Sequence, residues 1–109
     1  MERYKASDYT YRVFWSEEDG AWVAVADEFK YMSYISEQDQ FDAFAGIVEL
    51  IGETVEEIYS DGKEPPAPFS KQEYSGRFAL RMTPEQHRRL AIEAAEMGVS
   101  MNQLLVSRI

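Results

Sequence analysis

Cysteine is absent from the 109 residues, which removes disulfides, thiol nucleophiles and any zinc site that needs thiolate ligands. No stretch approaches the roughly 18 uninterrupted apolar residues of a membrane span, and the N-terminal MERYKASDYTYR lacks the apolar centre of a secretory signal. A cytoplasmic location without membrane association is therefore expected. Histidine occurs once, at His87, and three of the four prolines fall between Lys63 and Phe69, so proline punctuates one place and leaves the rest of the chain free to form regular structure. Basic charge is scarce over most of the length. Residues 1–74 hold six basic side chains against 17 acidic ones, a net charge of −11, while residues 75–109 hold five against three, a net charge of +2. An acidic body suits a basic protein and repels nucleic acid, whereas a small basic module can still meet phosphate locally.

What is present in quantity is apolar and aromatic material, 45% and 14% of the chain, enough for a folded core. The length allows one ordinary domain or two very small ones, and a very small second domain would need a partner or a second copy for stability. Tyr9, Tyr11, Val13 and Trp15 alternate with Thr10, Arg12 and Ser16, with Phe14 on the other face, which is strand spacing. Asp19-Gly20 predicts a tight two-residue hairpin turn, Ala21 to Ala26 the returning strand, and Met32 to Ser36 a third. Asp39 is a candidate helix N-cap. Behind it Phe41, Phe44, Ile47, Val48, Ile51, Val55, Ile58 and Tyr59 recur at three- and four-residue intervals, predicting one long helix that stops near Asp61 and Gly62. Gly46 and Gly52 inside it suggest close packing on the sheet, with simple tolerance as the alternative, and an edge strand near Ala67 to Ser70 could extend that sheet. The six aromatic residues Tyr9, Tyr11, Trp15, Trp22, Phe41 and Phe44 are expected in the core.

Beyond the proline-rich connector the pattern changes. Phe78, Leu80 and Met82 alternate with Arg77, Ala79 and Arg81, a short amphipathic strand. Thr83, Pro84 and Gln86 supply an N-cap, a first-turn proline and a capping-box partner for a helix with Leu90, Ala91, Ala94 and Met97 on its apolar side. Gly98 closes it, and Ser100 with Gln103 repeats the box for a second helix. A lone strand leaves its backbone groups unpaired, so this unit is expected to dimerise. Two copies would pair their strands into a ribbon that carries Arg77, Ala79 and Arg81 on one outer face, a shape that fits a major groove.

Strand, Thr-Pro-capped helix, glycine, Ser-capped helix is the arrangement of ribbon-helix-helix regulators. The stretch YSGRFALRMTPEQHRRLAIEAAEMGVSMNQLL resembles the C-terminal domain of the HicB antitoxin family. The hairpin, the DEF segment, the AGIVEL helix and the Asp-Gly-Lys-Glu-Pro-Pro connector look like that family's N-terminal domain. The resemblance implies an α+β chain in three parts: a toxin-binding domain over 1–67 with a partial ribonuclease-H-like fold, a linker over 68–75, and a ribbon-helix-helix DNA-binding and dimerisation domain over 76–109. It implies a small basic RNA-cleaving toxin, HicA-like, as partner, operator DNA as a second partner, and a homodimer that represses its own promoter; pairing of dimers into tetramers stays open. DNA contact then falls to Arg77, Ala79 and Arg81, with backbone amides of Ser100, Met101 and Asn102 on a phosphate. Ala79 has no hydrogen-bonding side chain, so base reading rests on the two arginines.

The acidic residues Glu17, Glu18, Asp19, Asp27, Glu28, Glu37, Asp39 and Asp42 could be read as a metal-dependent nuclease site, but two-metal hydrolysis needs carboxylates converging on ions about 4 Å apart, and these fall on a turn, a loop and a helix start. They are expected as a solvated face, with Asp27, Glu28, Glu37 and Asp39 as candidate toxin contacts. No enzyme activity, metal or cofactor is expected, and His87 is placed on a polar helix side. The rival reading is a stand-alone ribbon-helix-helix transcription regulator whose acidic domain senses a ligand or oligomerises.

Overall fold

The computed structural model describes residues 2–109, which divide into two compact units, the first ending at Glu73 and the second Tyr74–Ile109. In the first unit three antiparallel strands, β1 (Tyr11–Ser16), β2 (Ala21–Ala26) and β3 (Ser33–Ser36), lie in the order β1-β2-β3, and the helix α1 (Gln40–Ser60) packs on one face of the sheet. The registers pair Tyr11 with Ala26, Val13 with Ala24 and Trp15 with Trp22, then Trp22 with Ser36 and Ala24 with Tyr34. Because side chains alternate across a strand, these residues share the helix-facing side. Ala24 and Ala26 are small enough to let α1 approach. Ile47 and Ile51 fill the resulting layer with no exposure, each worth about 1.5–3 kcal/mol of burial.

The helix begins where its cap dictates. Asp39 is extended and its carboxylate accepts the Asp42 N–H at 2.8 Å, satisfying one of the unpaired first-turn donors. Its buried stripe is Ala43, Ile47, Ile51 and Val55, narrower than the sequence period suggested: Phe41 is 76% exposed and Phe44 48%, so the expectation of core placement for all six aromatics holds for Tyr9 and fails for Trp15, Phe41 and Phe44. Spacing at three and four residues marks a helix face but cannot say how wide a strip of it the sheet covers.

Three further expectations are corrected. The hairpin loop is Glu17 to Gly20, four residues enclosed by the Ser16–Ala21 pair. Only Gly20 takes a positive φ, at 59°; Asp19 instead donates its N–H to Ser16 Oγ, which returns a bond to the Asp19 carboxylate, and this side-chain closure favours the longer loop over the two-residue turn. Near Ala67 to Ser70 there is no edge strand but a 3-10 turn, Phe69–Lys71. Pro68 has no N–H for a ladder, and the Phe69 N–H is given to the Glu28 carboxylate at 3.0 Å. Gly46 does lie against the sheet, where a Cβ would collide with the Tyr34 ring, but Gly52 faces Ala6 of the N-terminal segment with room for a methyl group.

In the second unit α2 (Pro84–Met97) and α3 (Met101–Ser107) are joined by Gly98, left-handed at φ 70°. Both capping boxes form: Thr83 with Gln86 and Ser100 with Gln103. The predicted strand over Arg77 to Met82 is not hydrogen-bonded as one in a single copy, since a strand exists only with a partner to complete its ladder. Only Ala94 and Leu104 are buried in this unit.

Candidate functional site

The two units present different chemistry. On the second, Arg77, Ala79 and Arg81 are all exposed, and between them Phe78 and Leu80 are 88% and 56% exposed. Leu80 and Met82 line a groove of about 330 Å³ with Gln86, Leu90 and Leu105, so the apolar side of this segment borders the helices. Arg88 pairs with Glu85 and Arg108 with Glu93, whereas Arg77 and Arg81 enter no ion pair among the described residues. His87 is exposed beside Arg88 and Arg89.

At the start of α3 the three backbone amides expected on a phosphate are not equivalent. The Ser100 N–H donates to Gln103 Oε1 at 2.9 Å, so it is already used, while Met101 and Asn102 hold the first-turn positions whose N–H groups have no carbonyl four residues back within the helix. The phosphate-binding expectation narrows to those two.

On the first unit the four candidate toxin contacts do not form one constellation. Asp27 pairs with Arg12 at 2.7 Å. Glu28 accepts from Thr10 N–H at 3.0 Å, from Thr10 Oγ1 at 3.2 Å and from Phe69 N–H, tying the start of β1 to the connector. Asp39 caps α1. Glu37 is exposed on the loop before it. Three of the four thus have structural partners: that of Asp39 is three residues away and readable as a cap, while those of Asp27 and Glu28 lie on segments distant in sequence. No group of three His, Cys, Asp or Glu side chains among the described residues could hold a metal ion.

The connector is held to this unit as far as Gln72. Tyr9 Oη donates to Pro66 O at 2.9 Å, Lys71 lies 3.7 Å from Asp8, Gln72 Nε2 donates to Ala67 O, and Pro65 and Pro68 are buried. The first half of the segment read as a linker is therefore bound chain. Burial of the Tyr9 phenol, with Tyr59 and Glu28 nearby, pushes its pKa far above the usual tyrosine value. Burial, then Glu28, raises that of Tyr11 to about 12.

Residues 56–109 match the profile of the HicB family, a span that takes in the last turn of α1, the connector and the whole second unit. No curated protein and no solved structure matches the chain. No helix among the described residues is long and apolar enough to cross a membrane.

Proposed function

Since the chain belongs to the HicB family, we propose that it is the antitoxin of a toxin-antitoxin pair, inhibiting a small basic RNA-cleaving toxin through the acidic first unit and repressing its own promoter through a dimer of the second. The family match carries this reading. Charge and packing support it: the acidic residues concentrate in residues 1–74, which speeds encounter with a basic protein, and the second unit exposes an apolar row that a second copy would bury.

In the dimer, Arg77 to Met82 of two copies would pair as an antiparallel ribbon, Phe78, Leu80 and Met82 turning to a shared four-helix core and Arg77 and Arg81 turning out. Each arginine can donate two parallel bonds to a guanine edge, and the Met101 and Asn102 amides would seat a backbone phosphate. The acidic unit performs no chemistry here; it covers the toxin.

The test is binding of the full chain to its own upstream DNA at two salt concentrations, beside the Arg77→Ala, Arg81→Ala double variant. Sequence-specific binding that weakens with salt and is lost in the variant is expected. Failure of the intact protein to bind, alone or with the basic protein encoded beside it, would leave the second unit as a dimerisation device and remove promoter repression from the reading.

A further inference from the structure

In the first unit the sheet has two edges, β1 and β3, and β1 is the longer, at six residues against four. The order β1-β2-β3 leaves β1 paired on one side only, and its ladder shows which groups face outward. Asp27 N–H bonds to Thr10 O at 2.9 Å, so the Thr10–Asp27 pair and every second pair after it are the hydrogen-bonded ones; Tyr11, Val13 and Trp15 sit in the alternate pairs and point their N–H and C=O groups away from β2. Proteins ordinarily shield such an edge with proline, a bulge or several charges. The strand YRVFWS carries only Arg12, and that charge is paired with Asp27.

The same three residues turn their side chains toward α1, where a second feature meets the first. Phe41, Phe44 and Val48 recur at i, i+3 and i+7 and so share one flank of the helix. Phe44 touches the Tyr11 ring edge-on at 5.8 Å, which puts that flank over β1; Gly46, against Tyr34 of β3, marks the opposite flank. Farther along, the β1-side flank is covered by the chain's own N-terminal segment: Ala6 lies against Gly52, Tyr4 N–H donates to Tyr59 Oη and Tyr11 Oη donates to Ala6 O. The cover stops there. Phe41, Phe44 and Trp15, 76%, 48% and 45% exposed, continue the strip uncovered beside the open edge.

The charge around that open end has one sign. Glu17, Glu18 and Asp19 form the loop directly after β1, Glu37 precedes α1, and residues 31–62 contain no basic side chain. A second copy of this acidic surface would be repelled, which argues against self-pairing of β1.

We infer that the free edge of β1 and the aromatic strip Trp15, Phe41 and Phe44 form the docking surface for an extended segment of the basic toxin. The segment would add as a fourth strand, with alternate apolar side chains against α1 and lysine or arginine beside Glu17 to Asp19. This deepens the antitoxin reading and rests on it. Main-chain bonds to Tyr11, Val13 and Trp15 give the affinity, and the aromatic strip and acidic loop select the sequence.

The experiment is residue-resolved hydrogen exchange on the full chain, free and with the small basic protein encoded beside this gene. The amides of Tyr11, Val13 and Trp15 are expected to exchange fast in the free protein and slowly in the complex. Val13→Pro removes one outward N–H without touching the β1–β2 ladder, as an edge strand tolerates, and is expected to weaken binding on the order of 10- to 100-fold. Phe41→Ser, at an exposed position, should weaken it with the melting temperature unchanged. A complex in which those three amides still exchange fast overturns the docking site and leaves the antitoxin reading standing. Protection that grows with the concentration of this chain alone makes the occupant a second copy and overturns it too; absence of any complex removes both.

Discussion

The two units solve the problem of small size differently. The first encloses a layer of Ala24, Ala26, Ile47, Ile51 and Val55 between sheet and helix, and its polar side chains are tied across segments by Glu28, Tyr9 and the Arg12–Asp27 pair. The second buries only Ala94 and Leu104 and leaves Phe78, Leu80, Met97 and Val106 more than half exposed. A unit this short, below about 40 residues, usually needs another copy. In the proposed antitoxin this contrast would give one surface ready before its partner arrives and another assembled by pairing of two copies.

The sharpest way to break that contrast is to remove the one large buried side chain of the second unit. Leu104→Ala is expected to cost about 2–5 kcal/mol, enough to abolish dimerisation and protection of α2 and α3 while the first unit melts as before. Analytical ultracentrifugation with exchange protection would check it, and equal loss in both units would mean the division is wrong. Alkaline titration probes the other half. Tyr9 and Tyr11 have pKa values raised by burial in the folded state, Tyr11 to about 12 against an ordinary value of 10.0. The folded form therefore holds these protons more tightly, stability is complete below pH 10, and it falls as pH rises from 10 through 12. Far-ultraviolet circular dichroism against pH should show β1–β2 and α1 lost in that window.

Smaller effects refine the comparison. Gly46→Ala drives a methyl group into the Tyr34 ring and should destabilise the first unit by about 1–3 kcal/mol as overpacking does; a Tyr34→Ala background should relieve most of it in thermal melts. Thr83→Ala, which removes one half of the capping box, should cost about 1 kcal/mol in the second unit alone. Gly52→Ala, with space available against Ala6, is expected to stabilise by roughly 0.4–1 kcal/mol. Two glycines six residues apart in one helix would then move stability in opposite directions.

Much of this was legible in the chain. The caps at Asp39, Thr83 and Ser100 and the stop at Gly98 appear where the sequence placed them, because a cap joins a side chain to backbone three residues away. The hairpin and its strands were readable for the same local reason. The hairpin loop was not: Ser16 Oγ competes for Asp19, and the Asp-Gly pair alone does not report that rivalry. The candidate toxin contacts Asp27 and Glu28 looked alike as exposed carboxylates, yet each found a different partner on folding. Phe41 looked like core because it keeps the helical period, and its exposure depends on how far β1 extends beneath it.

Composition, periodicity and capping thus determined the element order, the division of charge and the resemblance of the C-terminal stretch to a known family, since all of these depend on residues near one another in the chain. Tertiary structure alone decided that Glu28 binds the connector at Phe69, that Gly46 admits Tyr34, and that β1 keeps an open edge beside uncovered aromatic rings. Those outcomes depend on segments far apart in sequence meeting at hydrogen-bond and van der Waals distance, and that meeting is set by how α1 seats on the sheet.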